Sequence, residues 1–197
     1  MFIHLHCHSH YSLLDGLPKI PDLVKKAKSL GMTSLALTDH GVMYGMIEFY
    51  KACKKEGIKP ILGVEAYVAP RRLTDKEVGV DTKSYHLVLL AKNEIGYKNL
   101  LKLTSIAHLD GFYYKPRIDK EILKQHSEGL IGLSACLNGE ISRHLMGNNL
   151  ETAERSLYEY KQIFGVESFY LEVQPQTAKD NNQQEIVNKR LIELARK

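Results

Sequence analysis

Residues 33–41 read Thr-Ser-Leu-Ala-Leu-Thr-Asp-His-Gly, and this stretch decides the fold. Its first six residues form a short apolar and β-branched run that predicts a buried strand over residues 33–38. The polar triplet Asp39-His40-Gly41 follows the strand directly. In barrels of alternating strands and helices, functional side chains lie at the carboxyl ends of the strands. The stretch therefore predicts a strand that places a functional residue at its end.

The same alternation continues on both sides of this stretch. Further strands are predicted over residues 2–6, 61–68, 86–91, 130–134 and 169–173. Helices are predicted over residues 21–30, 44–56, 95–108, 119–125, 150–164 and 182–197. Buried strands separated by helices favour an α/β fold with mostly parallel strands, and the repetition favours a barrel. An open doubly wound sheet is the alternative, although no glycine-rich nucleotide-binding motif follows any strand.

Length and composition suit an ordinary globular chain. The 197 residues are 44% hydrophobic, and we expect a single domain over residues 1–197, with an exposed loop over residues 69–85. The net charge of +4 permits a polyanionic partner without requiring one. The three cysteines cannot form a disulfide framework, which favours a reducing cytoplasm. We expect neither a signal peptide nor a membrane-spanning segment.

Histidine is the unusual component of the sequence. The segment His4-Leu5-His6-Cys7-His8-Ser9-His10 alternates with a period of two, which would place His4, His6 and His8 on one face of a strand. Each buried imidazole needs a partner, and the carboxylate of Asp15 follows closely. Imidazole and carboxylate groups are ligands for Zn, Mn and Fe, so the segment indicates a metal site.

Chemically similar residues occur at other strand ends. Besides His40, they are Glu65 inside an apolar strand, His86 at the start of a strand and Cys136 after one. Each is weak alone, because a buried cysteine is usually a small hydrophobic residue and a lone glutamate can be ion-paired. Together they favour one shared polynuclear metal site.

Three motifs resemble the polymerase and histidinol phosphatase (PHP) domain family. They are HCHSHYSLLDG at residues 6–16, ALTDHG at 36–41 and GVEAY at 63–67. The resemblance implies a distorted (β/α)7 barrel and two or three divalent metal ions. It implies a ligand set of His6, His8, Asp15, His40, Glu65, His86 and Cys136. His4 and His10 fall outside this pattern, and Asp39 could either orient the His40 imidazole or cap the following turn.

The family also uses a late Asp-x-His pair, which this sequence lacks. The candidate segment Asp180-Asn181-Asn182 has no histidine. We therefore expect the barrel to be truncated before its last strand and the metal site to lack two ligands.

Two further segments narrow the resemblance within the family. NLLKLTSIAHLDGFYYKPRID at residues 99–119 and LSACLNGE at 133–140 are similar to the PHP domain that begins bacterial replicative DNA polymerases. This implies a metal-dependent 3′–5′ exonuclease for proofreading. The implied partners are DNA, through the full-length polymerase, and other replicase subunits including a separate proofreading exonuclease.

Two alternatives stay open from the sequence. The domain could be a catalytically silent, metal-stabilised scaffold that docks the proofreading subunit, or a small-molecule phosphatase of the histidinol phosphatase type. Direct DNA contact is also open. Cationic and aromatic residues could touch phosphates and bases, but a solvated loop with ordinary packing is favoured: Arg71, Arg72, Lys115, Arg117, Tyr113 and Tyr114.

Overall fold

A six-stranded sheet forms the centre of the molecule. The computed structural model describes residues 2–175 and 182–196. The strands are β1 (Ser34–Leu37), β2 (Lys59–Val68), β3 (Tyr85–Ala91), β4 (Arg117–Ile118), β5 (Leu130–Leu133) and β6 (Phe169–Tyr170). They are ordered β1-β2-β3-β5-β6, and β4 pairs with the far end of β2.

Seven α-helices in the described residues cover the sheet. They are α1 (Ile20–Ser29), α2 (Met46–Glu56), α3 (Glu94–Leu109), α4 (Lys120–Gln125), α5 (Glu140–Met146), α6 (Leu150–Phe164) and α7 (Gln183–Ala195). A 3₁₀ turn, Val166–Ser168, leads into β6.

Local chemistry sets several helix ends. Asn93, Asp119 and Asn149 each precede a helix and accept a hydrogen bond from a backbone N–H of its first turn. Such caps satisfy donors that have no partner inside the helix. Gly57 ends α2 with a φ of 72°, a left-handed conformation that glycine adopts without steric cost.

The α/β class is confirmed, with one change in strand direction. Parallel pairs join β1 to β2, β2 to β4 and β5 to β6, whereas β3 runs antiparallel to both β2 and β5. The long loop between β2 and β3 contains no helix. A parallel pair needs a crossover connection, usually helical, so a chain that returns without one can pair antiparallel.

The predicted strand over residues 2–6 is wrong as a regular strand. This segment lies beside β1, with Ala36 N donating to His4 O and Thr38 N donating to Cys7 O. Between these two bonds the N-terminal segment advances three residues, from His4 to Cys7, while β1 and its next residue advance only two, from Ala36 to Thr38. The extra residue acts as a bulge and breaks the period-two alternation. His4 is accordingly exposed, while His6 and His8 turn inward.

Short elements differ most from the sequence predictions. The sequence did not predict β4 or α5, and β6 ends at Tyr170 instead of residue 173. A two-residue strand has no periodicity to detect, and its existence depends on the partner strand.

Three apolar clusters pack around the sheet. The largest lies between the sheet and α3 to α7, a second joins α1 and α2 to β1, and a small third fills the inner face around Val88 and Leu90. A cavity of about 820 Å³ lies between the residues after β6 and the N-terminal segment. Among the described strands, β1 and β6 are the two ends of the sheet and do not pair with each other, so the sheet does not close into a barrel on that side. Among the described residues, no helix is both long and apolar enough to span a membrane.

Candidate metal centre

The candidate metal centre is built around one buried carboxylate. Glu65 lies in the middle of β2 and is only 1% exposed. It cannot reach water, and a buried charge is costly unless it is paired.

Four imidazoles surround this carboxylate. His86 Nδ1 lies 2.9 Å from Glu65 Oε1, and His6 Nε2 lies 3.3 Å from the same oxygen. His8 Nε2 lies 3.5 Å from Glu65 Oε2, and His40 Nδ1 contacts that oxygen as well. The His8 and His40 rings stack with centroids 4.1 Å apart.

The sheet topology explains why these residues meet. His40 follows β1 and forms an isolated parallel bridge with Glu65. His86 lies at the start of β3 and pairs in register with Tyr67. Because β3 is antiparallel, its amino end lies at the same edge of the sheet as the carboxyl ends of the parallel strands.

Asp15 and Cys136 extend the cluster on two sides. Asp15 Oδ2 lies 2.7 Å from His40 Nε2, and more than half of its side chain is exposed. The Cys136 Sγ lies 3.7 Å from His86 Nδ1 and 3.9 Å from Glu65 Oε1. All seven residues predicted as ligands therefore lie together in the structure. His4 and His10 lie outside the cluster.

Possible metal-binding triads overlap within this cluster. Their ligand atoms lie within 4.8 Å of one another in His6–His8–Glu65, in His8–Asp15–His40 and in His40–Glu65–His86. Shared residues link the triads, which is the arrangement expected of a site for more than one ion. Cys136 belongs to none of these triads, although it borders the third.

Unpartnered buried atoms test whether a metal fits this site. In the part of the chain that the structure describes, five buried side-chain nitrogen or oxygen atoms make no hydrogen bond of good geometry. Three of them belong to the cluster, His6 Nε2, His40 Nδ1 and Glu65 Oε2, and they face neighbouring groups only as ion-pair contacts. Buried polar atoms are normally satisfied, so a concentration of unsatisfied ligand-type atoms indicates a missing cation. The residues present therefore fit a metal ion.

Mutual interactions shift the acid–base behaviour of the cluster. Burial alone would lower the pKa of His6, but its hydrogen bond with Glu172 and its ion-pair contact with Glu65 raise it to about 10. Burial likewise opposes ionisation of Glu65, yet its close contacts with His40, His6 and His86 hold the pKa of Glu65 well below its usual range. Burial and then the Glu65 charge raise the pKa of the Cys136 thiol to about 11. Without a metal, these shifts favour a negative charge on Glu65 and a proton on His6.

Asp39, which was expected either to orient the His40 imidazole or to cap the following turn, bonds the turn from Ser9 to Ser12. Its Oδ1 accepts from Ser9 N at 2.6 Å and from Ser12 Oγ at 2.7 Å, and Oδ2 accepts from Ser9 Oγ at 2.8 Å. Ser12 Oγ in turn accepts from His40 N at 3.1 Å. Asp39 thus fixes the turn that carries His8 and reaches His40 through its backbone. The predicted contact with the His40 imidazole is replaced by this serine-mediated link.

A tight turn presents Asp15. Asp15 N and Gly16 N both donate to Ser12 O, and a Cβ at Gly16 would lie only 1.9 Å from Ser9 O. Only glycine fits this approach. The close Ser-x-x-Asp-Gly spacing is therefore a geometric requirement for bringing Asp15 to His40.

Glu172 is a neighbour of the site that the sequence analysis missed. It follows β6, and its Oε1 lies 2.8 Å from His6 Nδ1. The signal was present, because Glu172 is a lone carboxylate within an apolar segment, as Glu65 is. Residues 180 and 181 of the candidate late pair lie outside the described residues.

The residues considered for DNA contact divide into two groups. Arg117 is buried and donates to the backbone carbonyls of Leu73, Asp75, Asp81 and Gly111, so it is structural and cannot bind phosphate. Arg71 pairs with Asp81 and Glu77. Lys115 is exposed near the site, with Nζ 5.4 Å from the centroid of the Tyr67 ring. Tyr114 is exposed, whereas Tyr113 packs against the Arg117 guanidinium.

Comparisons with known proteins identify one protein family. The PHP domain family matches residues 4–176. The DNA polymerase III subunit alpha of Borreliella burgdorferi is 55% identical over 196 residues, covering 99% of this chain and 17% of that protein. The Treponema pallidum protein of the same name is 51% identical over 174 residues, covering 88% of this chain and 15% of its own length. The chain thus spans about one sixth of the length of these relatives.

One solved structure is similar along the whole chain. A putative metal-dependent phosphoesterase from Bifidobacterium adolescentis has a TM-score of 0.48 at 14% identity, covering 98% of this chain and 96% of that one. A likeness this distant adds nothing about individual residues.

Proposed function

Because the chain belongs to the PHP domain family, we propose that its Glu65-centred cluster binds divalent metal ions and hydrolyses phosphate esters. The proposed ligands are His6, His8, Asp15, His40, Glu65, His86 and Cys136. We propose two or three ions, with Zn, Mn or Fe as the candidates that suit this mixture of imidazole, carboxylate and thiol. One observation carries the proposal: three unpartnered buried ligand atoms meet at a carboxylate that four imidazoles surround.

The chemistry of such a site follows from general principles. Divalent ions held a few ångströms apart would activate a water molecule and stabilise the charge on the leaving oxygen of a phosphate ester. Glu65 supplies the central negative charge, and its burial keeps solvent away from its carboxylate oxygens. Asp39 holds the turn from Ser9 to Ser12 in place, so that His8 stays stacked on the His40 ring and Asp15 stays beside His40 Nε2.

Lys115 is the cation that we propose for substrate binding. It stands over Tyr67, whose ring lies 5.2 Å from the His86 ring and 6.1 Å from the His40 ring. An exposed ammonium beside an anionic ester would attract and orient it. The exposed ring of Tyr114 could stack on a base next to it.

The relatives suggest the biological setting. We propose that residues 1–197 form one domain of a bacterial replicative polymerase, and that its substrate is the 3′ end of a DNA strand. DNA and the other replicase subunits, including a proofreading exonuclease, would then be its partners. A cytoplasmic location agrees with three free cysteines. One apolar cluster that runs from β2 to α7 supports the single domain.

A digestion assay tests the hydrolytic function. Single-stranded DNA labelled at its 5′ end is incubated with the purified protein and Mn²⁺ or Zn²⁺, and shortening of the strand is followed on a gel. We expect the unaltered protein to hydrolyse the DNA. His8→Ala and Glu65→Ala should abolish hydrolysis, whereas Glu167→Gln, a control at an exposed position, should preserve it. Hydrolysis that persists in the Glu65→Ala protein would overturn the proposed site.

The same assay separates the rival functions. Bound metal with no hydrolysis, and a melting temperature that EDTA lowers, would favour the metal-stabilised scaffold. A phosphomonoester hydrolysed faster than DNA would favour a small-molecule phosphatase. Both rivals keep the metal site and change only what it does.

A further inference from the structure

We propose that Glu172 is a further positioning residue of the metal centre, which holds the His6 imidazole with Nε2 directed at Glu65. This inference rests on the proposed metal site. It adds a residue from β6 to a cluster otherwise supplied by the N-terminal segment, β1, β2, β3 and the loop after β5.

The contact with His6 is direct and largely shielded from water. Glu172 Oε1 lies 2.8 Å from His6 Nδ1, and both side chains are at most 13% exposed. An ionised carboxylate can only accept, and Glu172 Oε1 lies closer to His6 Nδ1 than Gln174 Nε2 does, at 2.8 Å against 3.3 Å, so the geometry assigns the proton to Nδ1. The opposite nitrogen, Nε2, then faces Glu65 Oε1 at 3.3 Å.

That geometry decides which nitrogen can bind a metal. With a metal present and Nδ1 still protonated, His6 offers its lone pair only at Nε2, one of the unpartnered buried atoms of the cluster. A carboxylate that bonds the far nitrogen of a ligating histidine fixes its tautomer and ring orientation and makes it a stronger donor.

Glu172 is itself held from two sides. Its backbone N–H donates to Ser134 Oγ at 2.8 Å, which ties it to the end of β5 just before Cys136. Gln174 Nε2 donates to Glu172 Oε1 at 2.7 Å.

The Gln174 backbone is anchored in turn. Its carbonyl accepts from Asn188 Nδ2 at 2.8 Å, and its N–H donates to Asn188 Oδ1 at 3.3 Å. Because Asn188 lies on α7, hydrogen bonds connect this C-terminal helix to His6 through Gln174 and Glu172.

Metal binding gives the most direct test. Zn²⁺ is titrated into the unaltered protein and into the Glu172→Gln variant, each in competition with a chromophoric chelator. The Glu172→Gln substitution removes the charge and keeps the shape of the side chain. We expect the variant to bind Zn²⁺ about 10- to 100-fold more weakly, with the same number of ions at saturation. Glu167→Gln, an exposed site five residues earlier, should match the unaltered protein.

Nitrogen-15 NMR of the zinc-loaded protein gives an independent readout that a general loss of packing would not mimic. We expect His6 with a protonated Nδ1 and a metal-bound Nε2. A metal-bound Nδ1 would overturn the proposal. Fewer ions at saturation in Glu172→Gln would also overturn it, because Glu172 would then be a ligand.

A second variant guards against a folding defect. Gln174→Leu leaves Glu172 in place and removes the hydrogen bond that Gln174 Nε2 donates to it. This variant should also bind Zn²⁺ more weakly than the unaltered protein, but by less than tenfold. Unchanged affinity in both variants would refute the proposal while leaving the metal site intact. Failure of the unaltered protein to bind Zn²⁺ would instead refute the proposed function.

Discussion

At the scale of single residues, Glu65 is the position on which the site depends. Its carboxylate is buried in the middle of an apolar strand, and four imidazoles and the Cys136 thiol contact it. An uncompensated charge there would be strongly destabilising. Protons on His6 and His40, whose pKa values are raised, can compensate it in the metal-free protein, and metal cations can do so in the loaded protein.

Replacing Glu65 by glutamine should separate metal binding from folding. Glu65→Gln keeps the volume and removes the charge that attracts cations, so we expect metal affinity to fall by at least about 100-fold. Isothermal titration with Mn²⁺ measures the effect, and circular dichroism of the metal-free protein should show an unchanged fold. Equal Mn²⁺ affinity in Glu65→Gln and Glu167→Gln would contradict this expectation.

Gly41, which follows His40, should tolerate no side chain. Its φ is +65°, and an added Cβ would lie 2.9 Å from Pro116 Cγ and 3.0 Å from Tyr67 Cε2. We expect Gly41→Ala to lower the free energy of unfolding by about 2–3 kcal/mol in urea titrations, from backbone strain plus the forced shift of these rings.

A second glycine provides the matched control. Gly57 has a φ of +72°, but an added Cβ there would meet nothing within 4 Å. Gly57→Ala should therefore report strain alone and cost only about 1 kcal/mol. Equal costs at the two positions would show that the contact with Pro116 and Tyr67 does not matter.

Residue types predicted the site better than residue periodicity did. Glu65 stood out because a lone carboxylate in an apolar strand needs a partner, and the structure supplies four imidazoles. Alternation put His4 beside His6 and His8, but the bulge against β1 turned His4 outward. Such a bulge depends on pairing with β1, some thirty residues away in the sequence, so no local pattern reveals it.

At the scale of elements, the loop between β2 and β3 is more ordered than its sequence suggested. The buried Arg117 guanidinium donates to four carbonyls, three of them within this loop, and Arg71 pairs with the buried carboxylate of Asp81. The irregular composition of residues 69–85 correctly predicted a loop. It could not predict which cations hold that loop, because Arg117 comes from a distant strand.

The Asp81 ion pair should make stability depend on acid pH. Arg71 lowers the pKa of Asp81 to about 2. A carboxyl group whose folded pKa is depressed stabilises the protein above its unfolded pKa of about 3.9, and this contribution is lost as pH falls through the folded value. The urea midpoint of Asp81→Asn should therefore lie below that of the unaltered protein at pH 6, and the gap should narrow between about pH 4 and pH 2.

Removing the cationic partner checks the cause of that pH dependence. In an Arg71→Gln background, the pKa of Asp81 should move back toward its usual range. The difference in urea midpoint that Asp81→Asn causes should therefore disappear at a higher pH in that background. A gap that stays constant from pH 6 to pH 2 in the unaltered background would show that the pair does not shift the Asp81 pKa.

At the scale of the whole molecule, the fold gathers residues that are far apart in the chain. His6 and Glu172 are 166 positions apart and lie in direct contact. Parallel and antiparallel strands meet at one edge, where β2 and β3 and the residues after β1 and β5 contribute ligand-type side chains. The alternation of strands and helices predicted this edge, whereas the direction of β3 and the exact partners required the tertiary structure.

Metal loading should stabilise the whole chain. A ligand at 100 times its dissociation constant that binds only the folded state adds about 2.7 kcal/mol. For a chain of this size, that should raise the melting temperature by about 5–10 °C in differential scanning fluorimetry. EDTA should reverse the shift, and Glu65→Gln should show none. A shift of equal size in Glu65→Gln would place the stabilising ion elsewhere.

The central claim is that metal ions bind at Glu65, and anomalous diffraction from zinc-soaked crystals tests it most directly. The structure predicts anomalous peaks about 2.0–2.3 Å from His6 Nε2 and from a Glu65 carboxylate oxygen, with further peaks bounded by His8, His40 and His86. Peaks only at histidines outside the cluster, such as His4 or His10, with none beside Glu65, would contradict it.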